Sequence, residues 1–193
     1  MSHLTDFDRA GRLTASQAAA SLGMDKYTGR AKLWRQITGR EPKFEGNVYT
    51  QYGNDNEAEA LATFEAQMGV LLEAGRFVMH PEYDWLGASP DGFLDGGVVE
   101  VKCPQTIHAE CPEHYLIQMH VQMACCQCEY GWFASWTPDA LMVQKVTFDR
   151  AWWDDYLLPG MDLFWNHYVA KDIEPPRGKY NPLKESLIEK ETA

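Results

Sequence analysis

The feature that most constrains how this chain can fold is the change of pattern at Gly69. Asn47 is a helix-capping residue, and the stretch behind it carries Leu61, Phe64 and Met68 at spacings of three and four, one face of a helix. A long helix is therefore expected from Asn47 to about Met68, stopped by Gly69. Beyond that point the period is lost. Arg76 to Met79, Trp85 to Ala88 and Val98 to Lys102 are short, rich in Val and aromatics, and broken by Pro and Gly, as strands are. Tyr115 to Cys128 has no breaker and reads as a helix. Gly131 to Trp136 and Leu141 to Phe148, on either side of Thr137-Pro138-Asp139, read as a hairpin. Two short helices are expected upstream, over 15–22 and 30–37, and a final aromatic-rich one from Trp152 to Val169, kinked at Pro159-Gly160. Helices before, between and after a few short strands give an α/β fold, a small mixed β-sheet flanked by helices.

A chain of 193 residues has room for one domain with its own core. Within it, 1–43 reads as a basic helical part, 44–173 as a core with the final helix, and 174–193 as a polar tail. Apolar residues at 45% and charged ones at 23% exclude a disordered or collagen-like chain. No apolar run approaches the roughly 20 residues of a membrane span. The start, Met1-Ser2-His3-Leu4-Thr5-Asp6, has neither the basic residues nor the apolar stretch of a signal peptide, so a cytoplasmic chain is expected, with its five Cys as thiols. Cys125, Cys126 and Cys128 share one expected helix and read as buried thiols rather than as a zinc knuckle.

The net charge of −11 argues against a polyanionic partner, but it is unevenly spread. Residues 1–43 hold eight basic and four acidic side chains, a net +4, and the remainder is −15. Since each charge reaches only about 8–10 Å at cellular salt, a basic face can hold nucleic acid on an acidic body.

The chemistry is concentrated in Ser89-Pro90-Asp91-Gly92 and, nine residues after Asp91, Glu100-Val101-Lys102. Side chains alternate along a strand, so Glu100 and Lys102 share a face while Val101 points to the core, and Asp91 can reach that face from its turn. Two carboxylates together make a hard oxygen cage for Mg²⁺ or Mn²⁺, and a lysine beside them can hold a water for attack on phosphorus. Pro138-Asp139 and Glu41-Pro42-Lys43 repeat the halves of this motif without the turn and strand that would align them. On these residues alone, a solvated Glu100–Lys102 salt bridge on a surface hairpin stays open as the alternative.

Five segments in order extend the motif. Besides the two above, they are Tyr52-Gly53-Asn54-Asp55-Asn56-Glu57, Tyr115-Leu116-Ile117-Gln118-Met119-His120-Val121-Gln122-Met123, and Arg9-Ala10-Gly11-Arg12-Leu13-Thr14-Ala15-Ser16. Together they resemble the lambda exonuclease-like (YqaJ-type) viral recombinase nucleases of the PD-(D/E)xK superfamily, with His120 where that family usually has Gln. The resemblance implies a restriction-endonuclease-like core. It implies two Mg²⁺ or Mn²⁺ ions held by Asp91, Glu100, the Val101 carbonyl and Glu57, with Lys102 and Gln118 completing the catalytic group. It implies a 5′-phosphate pocket from Arg9, Thr14, Ser16 and Ser89, and a strand-parting wedge near Val48, Tyr49 and Thr50. The activity implied is 5′-to-3′ degradation of one strand of double-stranded DNA from its ends by a homotrimeric ring, which leaves 3′ single strands for a single-strand annealing recombinase. Two rivals stand beside it: an endonuclease of the same superfamily, and a non-catalytic DNA-end binding module with structural carboxylates.

Overall fold

The computed structural model describes residues 11–42, 45–183 and Glu185. Among the described residues there are eight strands: β1 (Leu13–Thr14), β2 (Glu73–Ala74), β3 (Val78–Met79), β4 (Leu86–Ala88), β5 (Gly92–Leu94), β6 (Gly97–Lys102), β7 (Tyr130–Thr137) and β8 (Ala140–Thr147). The helices are α1 (Ala15–Ser21), α2 (Arg30–Ile37), α3 (Val48–Met68) and α4 (Glu113–Cys126), followed by α5 over residues 150–169. The chain clusters into two compact units, one of described residues 11–15 and 45–148, the other of 16–42, 149–183 and Glu185.

The first unit holds both sheets. One has the order β1-β4-β3, and the other the order β2-β5-β6-β7-β8. In the larger sheet β6 is antiparallel to β5 and parallel to β7, so the sheet is mixed, as expected. The β7–β8 hairpin turns at Pro138-Asp139. Sequence reasoning missed β1, β2 and β5, which lie outside the runs read as strands.

The long helix begins and ends where its caps require. The Asn47 side chain accepts from the amides of Tyr49 and Thr50 at 3.0 Å each, and Gly69 closes the other end in the left-handed region with φ 68°. Ala60 and Phe64 of α3 pack with Val99 and Val101 of β6, Leu94, Ala134 and Trp136. The alternate residues of β6 face α4, which also lies against β4 and β7. With a helix on both faces, β6 is buried along nearly its whole length.

The second unit is helical. The Trp34 indole donates to the Tyr168 carbonyl at 3.0 Å, and Leu22, Leu157, Met161 and Phe164 form its interior. Helix α5 runs through Pro159 rather than breaking there. It widens into π turns at Trp153–Leu157 and Leu163–Val169, the first lying directly ahead of the proline that can donate no amide hydrogen bond.

Candidate active site

Strand alternation, seen from the α4 side of β6, places Glu100 and Lys102 together and turns Val101 to the opposite core. Glu100 is 1% exposed, so the pair is not the solvated surface bridge that the motif alone left open. Its Oε1 accepts from both the Lys102 ammonium and the Gln118 amide, and its Oε2 from the Gln122 amide. The two glutamines are one helical turn apart and descend from α4 onto the same carboxylate.

Asp91 joins this group through the backbone. Its N–H donates to the Val99 carbonyl at 3.0 Å, and its Oδ2 accepts from the Val101 N–H at 2.7 Å. In a strand, the N–H and C=O of one residue point to the same side, so the Val101 carbonyl also lies on the Asp91 edge. The β5 ladder ends at the Gly92–Val99 pair, one step before it. The chain at Gly75 also passes close to this turn, where a Cβ would strike the Pro90 carbonyl oxygen.

The electrostatics follow from burying two carboxylates with one ammonium. Burial, then the facing Glu100, push the Asp91 acid from 3.8 up to about 8, with Glu57 adding a smaller push and Lys102 only partly offsetting them. Burial works against the Lys102 ammonium, yet Glu100 and Asp91 outweigh it and hold its pKa above the usual 10.5. The two carboxylates thus favour the ammonium form of Lys102. Its ammonium also lies 5.1 Å from the centre of the Tyr115 ring.

The donor set suits a hard divalent cation: two carboxylates and a strand-edge carbonyl, where a cation would take the place of the proton that Asp91 otherwise holds. Among the described residues no three of His, Cys, Asp and Glu are grouped closely enough to hold a metal. Glu57 lies exposed on α3, and its charge reaches both Asp91 and Cys103.

The residues expected at the 5′ phosphate are placed less completely. Thr14 pairs in parallel with Gly87, beside the strand that runs on to Ser89. Ser16 is exposed in α1, and Arg9 lies outside the described residues. Val48 and Tyr49, at the expected wedge, are 77% and 61% exposed at the start of α3.

His120 does not face the site. It sits half a turn from Gln118 and Gln122, with Nδ1 2.8 Å from the Leu116 carbonyl and its ring against Phe148 at 5.4 Å. Burial pushes the thiols of Cys103 and Cys126 up to about 11 and 12. Gln122 and Gly75 were missed as site residues by sequence reasoning. For Gln122 the available signals were its place in the Tyr115–Met123 segment and its spacing of four from Gln118.

The architecture is a restriction-endonuclease-like α/β core, carrying two carboxylates and a lysine at the end of a central strand. Residues 7–129 match the sequence model of the YqaJ-like viral recombinase domain, and the chain belongs to that family. It is 26% identical over 122 residues to the YqaJ protein of Bacillus subtilis strain 168, a match that covers 58% of this chain and 38% of the relative's length. Among solved structures, an alkaline exonuclease from Laribacter hongkongensis, LHK-Exo, is similar with a TM-score of 0.74 and 26% identity over 96% of this chain and 99% of that one. Its complex with dAMP matches with a TM-score of 0.71 and 25% identity, over 84% and 90% of the two chains. A phage-related exonuclease from Haemophilus somnus 129PT shares the fold, with a TM-score of 0.63 at 14% identity over 83% of this chain and 96% of that one.

Proposed function

We propose that this chain is a divalent-metal-dependent exonuclease that degrades one strand of linear double-stranded DNA from 5′-phosphorylated ends in the 5′-to-3′ direction. The observation that carries the reading is the convergence of Asp91, Glu100, Lys102 and Gln118 on one point of β6, in a fold shared over 96% of the chain with an alkaline exonuclease. The reaction is hydrolysis of a phosphodiester: the oxygen of water bonds to phosphorus, and the bond from phosphorus to the 3′ oxygen breaks.

Asp91, Glu100 and the Val101 carbonyl would hold Mg²⁺ or Mn²⁺, with Glu57 reaching a second ion through water. Such ions, when bound, would neutralise charge developing on the phosphate and lower the pKa of a water. Lys102 orients the attacking water and, as an ammonium, offsets the growing negative charge on phosphorus. Gln118 keeps Glu100 in place by donating to the oxygen that Lys102 also uses. Arg9, Thr14, Ser16 and Ser89 bind the 5′ phosphate and so choose the strand to be degraded. A homotrimeric ring with its basic parts turned inward would reconcile a net charge of −11 with duplex DNA and deliver 3′ single strands to a single-strand annealing recombinase.

The test is nucleotide release from a linear duplex in Mg²⁺, with one 5′ end phosphorylated, the other hydroxyl, and each strand separately labelled. The phosphorylated strand should be lost first. Nicking of closed circular DNA would replace this reading with an endonuclease. End binding that persists in chelator without any release would replace it with a binding module.

A further inference from the structure

Gln122 is fully buried, and its amide is only half satisfied. Its Nε2 donates to Glu100, while its Oε1 has no hydrogen-bond partner among the described residues. The amide cannot turn over to relieve this, because an ionised carboxylate only accepts, and the reversed amide would set oxygen against oxygen. An apolar side chain of the same shape would fit without leaving an acceptor stranded. The interior therefore tolerates an unpaired oxygen in order to keep one N–H aimed at Glu100 Oε2.

The partition of donors on Glu100 gives that N–H a purpose. Lys102 and Gln118 both use Oε1, and among the described residues Gln122 is the donor to Oε2. Without it, the carboxylate is held at one oxygen and free to rotate about its terminal bond. We propose that Gln122 is a positioning residue, which fixes the plane of the Glu100 carboxylate and so the geometry in which that carboxylate would meet a cation. This rests on the metal-dependent reading above, and it adds a residue to the site that acts only through Glu100.

The variant that separates this role from packing is Gln122→Met, which keeps the volume and removes both the donor and the stranded acceptor. Mn²⁺ affinity is measured by calorimetry on the full chain, alongside nucleotide release and the thermal midpoint. The expected result is Mn²⁺ affinity and release each lowered about 10- to 100-fold, with the midpoint unchanged or raised. Unchanged Mn²⁺ affinity in a folded variant overturns the proposal. So does a lowered midpoint with affinity retained, which would make Gln122 a packing residue. Because affinity is read on the metal alone, a wild-type chain that binds Mn²⁺ but releases no nucleotides defeats the nuclease reading and leaves this one standing.

A second measurement keeps the idea falsifiable if Gln122→Met does not fold. In the wild-type chain the side-chain amide protons of Gln122, observed by ¹⁵N NMR, should exchange slowly and shift when Mg²⁺ is added. Signals that ignore Mg²⁺ while those of Val101 move would overturn the assignment.

Discussion

Among the described residues each unit buries a cluster of carboxylate and cation, and the two are built on opposite principles. In the helical unit, Arg30 is 1% exposed and meets Glu185 with two parallel hydrogen bonds of 2.7 and 2.9 Å, while the Tyr168 hydroxyl donates to the same carboxylate at 2.9 Å. One charge answers one charge. Burial raises the Glu185 acid, but Arg30 outweighs it and holds that acid below its usual 4.5. In the sheet unit, Asp91 and Glu100 share a single lysine, and the Asp91 acid rises to about 8. A balanced cluster holds a fold together. An unbalanced one is the arrangement that a bound cation would complete.

The comparison breaks most readily at Arg30. Arg30→Ala leaves Glu185 buried without a partner and should cost about 3–5 kcal/mol in denaturant unfolding, whereas the double change Arg30→Met with Glu185→Leu should come out near neutral. If the single change is harmless, the helical cluster is not structural. Next in size is Lys102→Ala, expected to lower nucleotide release by about 10²–10³-fold, or about 2.7–4 kcal/mol, while largely sparing DNA binding. Retained turnover would remove Lys102 from the mechanism.

The two clusters should also answer pH with opposite signs. Asp91 holds a proton in the folded chain between 3.8 and about 8 that the unfolded chain has already lost, so its contribution to stability falls as pH rises through that range. Asp91→Asn removes this dependence, so the metal-free variant should gain stability over wild type progressively from pH 4 to 8. Glu185 has the depressed acid, so its contribution is present above the unfolded value near 4.5 and is lost as pH falls through the folded one. The advantage of wild type over Glu185→Gln should therefore shrink only in acid. Parallel curves for the two variants would refute the contrast. The smallest effect is that of Mg²⁺ at pH 8: a tenfold excess over its Kd should stabilise the wild type by about 1.4 kcal/mol and Asp91→Asn much less, read as a shift in the thermal midpoint.

What the sequence disclosed, and what it withheld, divides along the same lines. The shared face of Glu100 and Lys102 follows from strand alternation, and the limits of α3 follow from Asn47 and Gly69, because both are local rules. Glu185 lies 155 positions from Arg30, and nothing near either residue announces the other. Gln122 belongs to a visible spacing of four, but that spacing acquires meaning only once α4 lies over β6. The orientation of His120 was within reach: two residues from Gln118 is about 200° around a helix, which puts it on the far side.

The parallel pairing of β6 with β7 has a consequence for synthesis. Parallel neighbours need a crossover, and here the crossover carries α4. A chain emerging from its N-terminus therefore displays Asp91, Glu100 and Lys102 before either glutamine has been made. Its acids come first and the donors that orient them come later. Until residue 122 has been made and the crossover has closed, the nascent chain holds the reactive groups without the arrangement that would let them act in concert.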